Sequence, residues 1–155
     1  MTRAQFWAPE FRVEKRDDGT ILMEHPGQAE RLADTIPARL KYWAGETPDA
    51  TYLAQRVDGS DWRRLSYGQV HDRVRSLGAA LLDLGLSQDR PVLILSENSL
   101  DHALIALAAQ YVGVPSAAVS TAFSLVSETH DKLVGVADLL QPGLIFASDG
   151  ARYAK

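Results

Sequence analysis

Polar residues directly follow two apolar runs that are typical of buried strands. Glu97-Asn98-Ser99 comes after PVLILS, and Ser120-Thr121 comes after the next apolar run along the chain. Ligands of open α/β sheets bind beyond the carboxyl ends of the strands, so Asn98 and Ser120 are candidate ligand contacts. Asn and Ser are also favoured at helix starts, where their side chains accept a backbone N–H, and capping is the preferred explanation.

Three of the 4 histidines stand next to a carboxylate, in His71-Asp72, Asp101-His102 and His130-Asp131. Neighbouring residues on a helix point about 100° apart, so these pairs do not orient one another as a catalytic dyad requires. The pattern is more typical of a solvated helix surface. We therefore assign no catalytic residue and no metal-ligating set.

The glycines exclude the common phosphate-binding and nucleophile motifs. The closest pairs among the 11 glycines, Gly78 with Gly85 and Gly143 with Gly150, are seven positions apart. This spacing is incompatible with the glycine-rich loops of dinucleotide-binding and P-loop proteins, and with the G-x-S-x-G turn of hydrolases. The 155 residues therefore contain no phosphate-cradling loop of a known type.

Composition indicates a single soluble domain. The chain has 46% hydrophobic residues, a net charge of -4 and no cysteine, which argues against nucleic acid as a partner and fits a reducing compartment. No signal-peptide pattern opens the sequence, and the longest apolar run, Ala103 to Ala109, is far shorter than the ~20 residues of a membrane span. We expect a cytoplasmic protein without membrane contact, and the oligomeric state is not indicated.

Turn and cap signals predict two hairpins around a helix in the first third of the chain. Asp17-Asp18-Gly19 and the segment 58–61 are turn sequences between runs with strand character. Thr35-Ile36-Pro37 opens a short helix that ends near Gly45 and Pro48. We expect residues 1–36 to form a lead with a hairpin, and residues 37–155 to belong to one domain.

A regular alternation of helices and strands follows. Ser66 with Gln69 forms a capping box that starts a helix, and Gly85 ends it. The apolar stripe of this helix consists of Val70, Val74, Leu77, Gly78, Leu81 and Leu82. Strands are predicted at 92–96, 115–119 and 144–147, with helices at 99–112 and 127–140 between them. Such an order predicts an α/β fold with a parallel sheet and crossover helices.

Two long segments resemble the adenylate-forming acyl-CoA synthetase superfamily, the AMP-binding enzymes. LSYGQVHDRVRSLGAALLDLGL and VLILSENSLDHALIALAAQYVGVP are similar to the opening core motifs of that family. The positions that match the family pattern are Leu65, Ser66, Tyr67, Asn98, Gly113 and Pro115. AVSTAFSLVSETHDKLVGVADLLQPGLIFASDG resembles the feruloyl-CoA synthase branch in particular.

The resemblance implies that the chain is the first part of the large N-terminal domain of such an enzyme. The parent protein would use ATP, Mg²⁺ and CoA to convert a small carboxylic acid, such as the hydroxycinnamate ferulate, through an acyl adenylate into a CoA thioester. The family's phosphate-gripping loop and catalytic lysine lie downstream of these motifs, so the fragment alone is expected to be inactive and to self-associate or bind hydrophobic dye. A stand-alone flavodoxin-like binding module and an inactive structural remnant remain alternatives.

Overall fold

The computed structural model describes residues 10–27, 35–57, 59 and 61–154. Two compact units are present, Met1–Ala33 and Asp34–Lys155. Two sequence predictions fall outside the described residues. They are the absence of a signal-peptide pattern, at residues 1–9, and part of the second predicted turn, at positions 58 and 60. The expected division into a lead of 1–36 and a domain from residue 37 stays a prediction.

The first unit contains the predicted hairpin. Strand β1 (Arg12–Lys15) pairs with β2 (Ile21–Glu24) in antiparallel register. In the turn, Gly19 adopts a φ of 84°, a conformation that costs glycine little. The Asp18 carboxylate accepts the Thr20 backbone N–H at 2.9 Å, and this hydrogen bond lowers the pKa of Asp18.

Helix α1 (Ile36–Glu46) opens the second unit as the sequence predicts. The Thr35 side chain accepts the Ala38 backbone N–H at 3.3 Å and so caps the helix. The helix ends at Thr47, whose N–H donates to the Trp43 carbonyl at 2.8 Å. Leu40 is its buried residue and anchors the helix to the core.

The second predicted hairpin follows, with β3 (Thr51–Val57) antiparallel to β4 (Asp61–Ser66). Leu53 pairs with Leu65, and Gln55 pairs with Arg63, so these residues share one face. Leu65 is buried in the core. One face of the hairpin therefore covers the helices, and the other is exposed.

Helix α2 (Tyr67–Asp83) begins at the predicted capping box. Ser66 Oγ accepts the Gln69 N–H at 3.3 Å, and Gln69 Oε1 accepts the Ser66 N–H at 3.1 Å. The predicted stripe is wrong at Leu82, which is 52% exposed, because the buried face of α2 is narrower and runs through Val70, Val74, Gly78 and Leu81. Gly85 has a φ of 71° just past the helix end, as its predicted capping role requires.

The three predicted strands form one parallel sheet with the order β6-β5-β7. These strands are β5 (Val92–Leu95), β6 (Ser116–Ala118) and β7 (Leu144–Ala147). Helix α3 (Leu100–Tyr111) connects β5 to β6. Strand β5 is central, and its residues Val92 to Ile94 are at most 1% exposed. The α/β class and the parallel sheet are thus confirmed.

The predicted helix 127–140 is wrong in its first turn. Helix α4 spans Asp131–Leu140, and a short π-helix, Ala122–Val126, precedes it. Between them Ser127 is extended, and His130 adopts a left-handed φ of 57°. These two backbone conformations interrupt the helix. The apolar spacing in the sequence continues across the interruption and therefore does not reveal it.

The core lies between α2, α3 and the sheet. Val70, Val74 and Ala108 are 0% exposed within it. Helices α2 and α3 pack closely at Gly78, where an added Cβ would lie 2.7 Å from Val112 Cγ1. The α2–α3 layer thus holds β5 in place, and with it the loop that follows β5.

Candidate functional site

A surface pocket of about 450 Å³ lies at the carboxyl ends of β5 and β6. It brings together both sequence candidates, Asn98 and Ser120. The other lining residues are Ser96, Glu97, His102, Ala118, Val119 and Thr121. The lining is rich in hydroxyl, amide, imidazole and carboxylate groups, so the pocket suits a polar ligand that forms several hydrogen bonds.

Serine side chains hold the loop between β5 and α3. Ser99 is the N-cap of α3, and its Oγ accepts the His102 backbone N–H at 3.0 Å. Ser96, which is only 6% exposed, donates to the Glu97 carbonyl at 2.6 Å. Capping is therefore the role of Ser99. Within the described part of the chain no hydrogen bond involves the exposed Asn98 amide, which leaves it available to a ligand.

The loop also depends on Gln55 of strand β3. Its Oε1 accepts the Leu100 backbone N–H at 3.0 Å, at the first turn of α3. Helix termini leave backbone N–H groups without partners inside the helix, and Gln55 satisfies one of them. The second hairpin thus helps to position the pocket, a contact between residues 45 positions apart that no local pattern indicates.

His102 lines the pocket, although the sequence pattern favours a solvated helix surface for it. Its side chain is half-buried, and Nδ1 lies 3.3 Å from the Glu97 carbonyl oxygen. A carbonyl only accepts, so Nδ1 carries the proton in this contact.

His71 and His130 also differ from the expected solvated surface, since both are half-buried. The His71 ring lies edge-on to Tyr111, with 6.1 Å between the ring centroids, and its buried Nε2 has no hydrogen-bond partner among the described residues. His130 Nε2 lies 3.2 Å from the Ser124 carbonyl. His71 thus contacts an aromatic ring and His130 a backbone carbonyl, and the expectation that the three sequence-adjacent pairs form no dyad stays a prediction.

An ion pair crosses from the end of β5 to the segment after β7. Arg152 approaches the Glu97 carboxylate with both terminal nitrogens, Nη2 lying 3.2 Å from Oε1. This hydrogen-bonded contact raises the pKa of Arg152. The Asp149 carboxylate accepts the backbone N–H groups of Ala151 and Arg152 at 3.0 Å and so shapes the loop that carries the guanidinium.

Ser120 and the residues after it form the opposite wall of the pocket. Ser120 is exposed, and its Oγ accepts the Ala122 N–H at 3.4 Å. Ser124, which is only 7% exposed, donates to the Thr121 carbonyl at 3.4 Å and stabilises the short π-helix. This wall therefore presents hydroxyl groups on a locally constrained backbone.

Neither a metal cluster nor a membrane span is found in the described ranges. No three His, Cys, Asp or Glu side chains in these ranges come together as they would around a metal ion. Among the same residues, no helix combines the length and apolarity needed to cross a bilayer.

Comparison with solved structures shows where this fold recurs. The crystal structure of IdnL1 has 26% sequence identity and a TM-score of 0.64, over 80% of this chain and 24% of that one. A fatty acyl-adenylate ligase from L. pneumophila, in complex with acyl adenylate and pyrophosphate, has 15% identity and a TM-score of 0.64, over 72% of this chain and 19% of that one. The NpsA N-terminal subdomain of Klebsiella oxytoca, in complex with 3-hydroxybenzoyl-AMSN, has 20% identity and a TM-score of 0.59, over 74% and 26%.

The chain thus spans about a quarter or less of the length of these structures. No curated protein matches the sequence. The model of the family described as AMP-binding enzyme matches residues 40–138, which include α2, β5, α3 and the pocket loop. The chain therefore belongs to the AMP-binding enzyme family.

Proposed function

We propose that this chain is the opening part of an ATP-dependent ligase that activates a carboxylic acid. The match of residues 40–138 to the AMP-binding enzyme family carries this proposal. The acid reacts with ATP to form an acyl adenylate and pyrophosphate, and the thiol of CoA then displaces AMP to form a thioester. The same proposal includes a division into a lead of 1–36 and a domain from residue 37. It also includes a cytoplasmic location and small carboxylic acids as the partners.

The described residues do not by themselves fit ATP and Mg²⁺. Their glycine spacing provides no phosphate-binding loop, and no cluster of carboxylates is present within the described ranges. We therefore assign no chemical step to these residues. Their role is to build the α2–α3 layer, fix the central strand and hold one polar pocket open at its carboxyl end.

A hydroxycinnamic acid such as ferulate is the proposed substrate. This choice rests on the resemblance of Phe123 to Gly150 to the feruloyl-CoA synthase branch. The segment includes the π-helix, α4 and β7. Its similarity to that branch favours an aromatic acid over acetate or a fatty acid.

Substrate ranking by the protein encoded in the complete reading frame tests this proposal. We expect adenylation that depends on ATP and Mg²⁺, with kcat/KM for ferulate and p-coumarate above benzoate, acetate and a medium-chain fatty acid, because that ratio reports differential binding of the transition state. A fatty acid or acetate in first place would contradict the substrate class. Absence of acid-dependent pyrophosphate release with all of these acids would contradict the ligase itself.

The proposed ligand contacts, Asn98 and Ser120, have their own test in the same protein. Loss of one hydrogen bond to a ligand corresponds to a roughly threefold to tenfold weaker interaction, which Asn98→Ala and Ser120→Ala should show in KM for ATP, acid or CoA. Gln110→Ala is the matched control, because Gln110 is exposed on the last turns of α3, away from the pocket lining. Unchanged values of KM for all three substrates in both variants would exclude the pocket from ligand binding.

The alternatives are a stand-alone flavodoxin-like binding module and an inactive remnant. The DNA beyond codon 155 separates them from the ligase. A continuous frame that encodes a loop rich in serine, threonine and glycine and a later lysine domain supports the ligase. A stop codon favours the module or the remnant.

A further inference from the structure

The second hairpin has an exposed face that presents two arginines and a tryptophan. Arg56 pairs with Trp62 across the strands, and Ala54 pairs with Arg64. Side chains of paired residues point to the same side of a sheet, and the positions alternate along each strand. Ala54, Arg56, Trp62 and Arg64 therefore form one surface, the outer hairpin face.

The three large side chains of the outer hairpin face are stacked. The Arg56 guanidinium lies 5.1 Å from the centre of the Trp62 ring, and the Arg64 guanidinium lies 5.9 Å from it. Trp62 is 47% exposed. The indole thus holds two planar cations at the surface, within the distance at which cation–π attraction acts.

The opposite face of the hairpin is already occupied by the molecule's own core. Leu65 is 3% exposed there, and Gln55 accepts the Leu100 N–H of α3. Gln55 and Arg63 belong to that face, as do Val57 and Asp61. Among the described residues, the outer hairpin face contains no carboxylate, and neither Arg56 nor Arg64 forms an ion pair.

We propose that the outer hairpin face binds a carboxylate-rich segment of a partner protein. Guanidinium groups bind carboxylates through paired N–H donors, and the indole between them supplies apolar contact area. Arginine and tryptophan are also the residue types enriched among the energetically important contacts of protein interfaces. The partner is acidic because both charged groups on this surface are cations.

The charge distribution favours a short acidic segment over a long polyanion. The chain carries a net charge of -4, so a nucleic acid that extends beyond the hairpin meets a surface with an excess of negative charge. The same repulsion disfavours an anionic bilayer. A segment that covers only the outer hairpin face meets Arg56 and Arg64 alone.

The indole N–H of Trp62 provides the readout in solution NMR, with Trp62→Phe identifying its signal. We titrate the protein with a helical peptide rich in glutamate, and separately with its lysine-substituted counterpart, phosphatidylglycerol vesicles and a short DNA duplex. We expect the glutamate peptide alone to shift the Trp62 signal. The binding should weaken as salt is raised.

Arginine variants localise the contact. Arg56→Gln and Arg64→Gln should each weaken binding of the glutamate peptide about threefold to fivefold, as expected for exposed charge pairs. Arg63→Gln is the matched control, since it removes the same charge from the other face of β4, and it should leave the affinity unchanged. Circular dichroism of each variant checks that the hairpin and helices are retained.

Four results would overturn the proposal. If the Trp62 signal does not shift when the glutamate peptide is added, the stack of Arg56, Trp62 and Arg64 only stabilises the hairpin. Equal weakening by Arg63→Gln shows an effect of net charge. Tighter binding of vesicles or of DNA shows that the occupant of this face is a lipid surface or a nucleic acid.

Discussion

Helices α3 and α4 both follow a strand of the parallel sheet, and both have apolar sequences, yet they differ in burial. Helix α3 buries Leu100, Leu104, Ile105, Leu107, Ala108 and Ala109. Helix α4 has no buried residue, and Leu139 is 82% exposed. The difference arises from packing partners, because α3 packs against α2 and the second hairpin, whereas the main contact of α4 is the short π-helix before it.

The comparison shows what an apolar pattern means in a chain of this kind. Periodic leucines and valines predict a helix with an apolar face, but they do not show which element covers that face. Val126, Val134 and Ile145 are 77%, 54% and 54% exposed in the region around α4. The α3 side of the sheet should therefore dominate stability, and removal of apolar side chains from α4 should have little effect.

Leucine truncation should show the largest difference. Leu104→Ala in α3 removes a side chain that is 5% exposed and should lower the free energy of unfolding by about 2–4 kcal/mol. Leu139→Ala in α4 should change it by less than about 0.5 kcal/mol. Urea unfolding followed by circular dichroism measures both. Equal losses would show that α4 is covered in solution.

Glycine substitution should change stability in opposite directions in the two regions. Gly78→Ala places a Cβ 2.7 Å from Val112 Cγ1, and we expect a loss of about 1–3 kcal/mol despite the better helix propensity of alanine. Gly135→Ala adds a Cβ that meets no atom from outside the α4 backbone within 4 Å in the described part of the chain, and it should gain about 0.5–1 kcal/mol. Thermal unfolding of the pair tests this, and a gain at Gly78 would contradict the close α2–α3 packing.

Loss of a helix cap should have a smaller effect. Ser99→Ala removes the hydroxyl that accepts the His102 N–H at the start of α3 and should cost about 1 kcal/mol. Thr129→Ala before α4 removes only an exposed bond from Thr129 Oγ1 to Asp131 Oδ2 and should cost less than about half of that. Matched urea curves compare the two variants. A larger loss of stability in Thr129→Ala than in Ser99→Ala would contradict the proposal that α3 contributes more to stability than α4.

The smallest expected effect is a loss of stability at alkaline pH, which arises from Tyr52 in β3. Burial, with a contribution from the neighbouring Tyr67, raises the pKa of Tyr52, whose ring stacks on Tyr67 with 4.6 Å between centroids. A raised pKa means that the folded state favours the neutral phenol. Its contribution is therefore complete below the ordinary pKa of about 10 and is lost as the pH rises through the folded-state pKa.

Tyr52→Phe tests this titration, because phenylalanine keeps the ring and removes the ionisable hydroxyl. The variant should unfold with a weaker dependence on pH above about 10 than the parent chain. Chemical unfolding at a series of alkaline pH values gives the comparison. Identical pH profiles for the two proteins would rule out a contribution from Tyr52.

Local signals account for most of the elements. Thr35 and Ser66 are capping residues, and Gly19 and Gly85 take the positive φ that their turns require, so hairpin and helix limits could be predicted from neighbouring residues. The start of α4 could not, because non-glycine residues such as His130 adopt a left-handed conformation too rarely for the residue type to predict it. Its apolar spacing continues across the interruption.

The pocket could be predicted only in part. Asn98 and Ser120 follow strands that turn out to be parallel neighbours, and parallel strands bring their carboxyl ends to one edge. Arg152 lies 55 positions from its partner Glu97, and His102 Nδ1 lies near the Glu97 backbone carbonyl. Such contacts depend on the folded path of the chain. The sequence did contain one signal for Arg152, because this residue follows the third predicted strand of a parallel sheet, whose carboxyl ends lie at one edge.

The central position of β5 also has a kinetic consequence. Val92 pairs with Ser116 in β6 and with Leu144 in β7, which is roughly twice as far along the chain. Each doubling of the loop length adds about 0.6 kcal/mol to the entropic free-energy cost of closing the loop. We therefore expect β6 to dock on β5 through α3 before β7 docks. During synthesis the β5–α3–β6 unit emerges first and can form while β7 is still inside the ribosome. The strand at the other edge then joins a template that already exists.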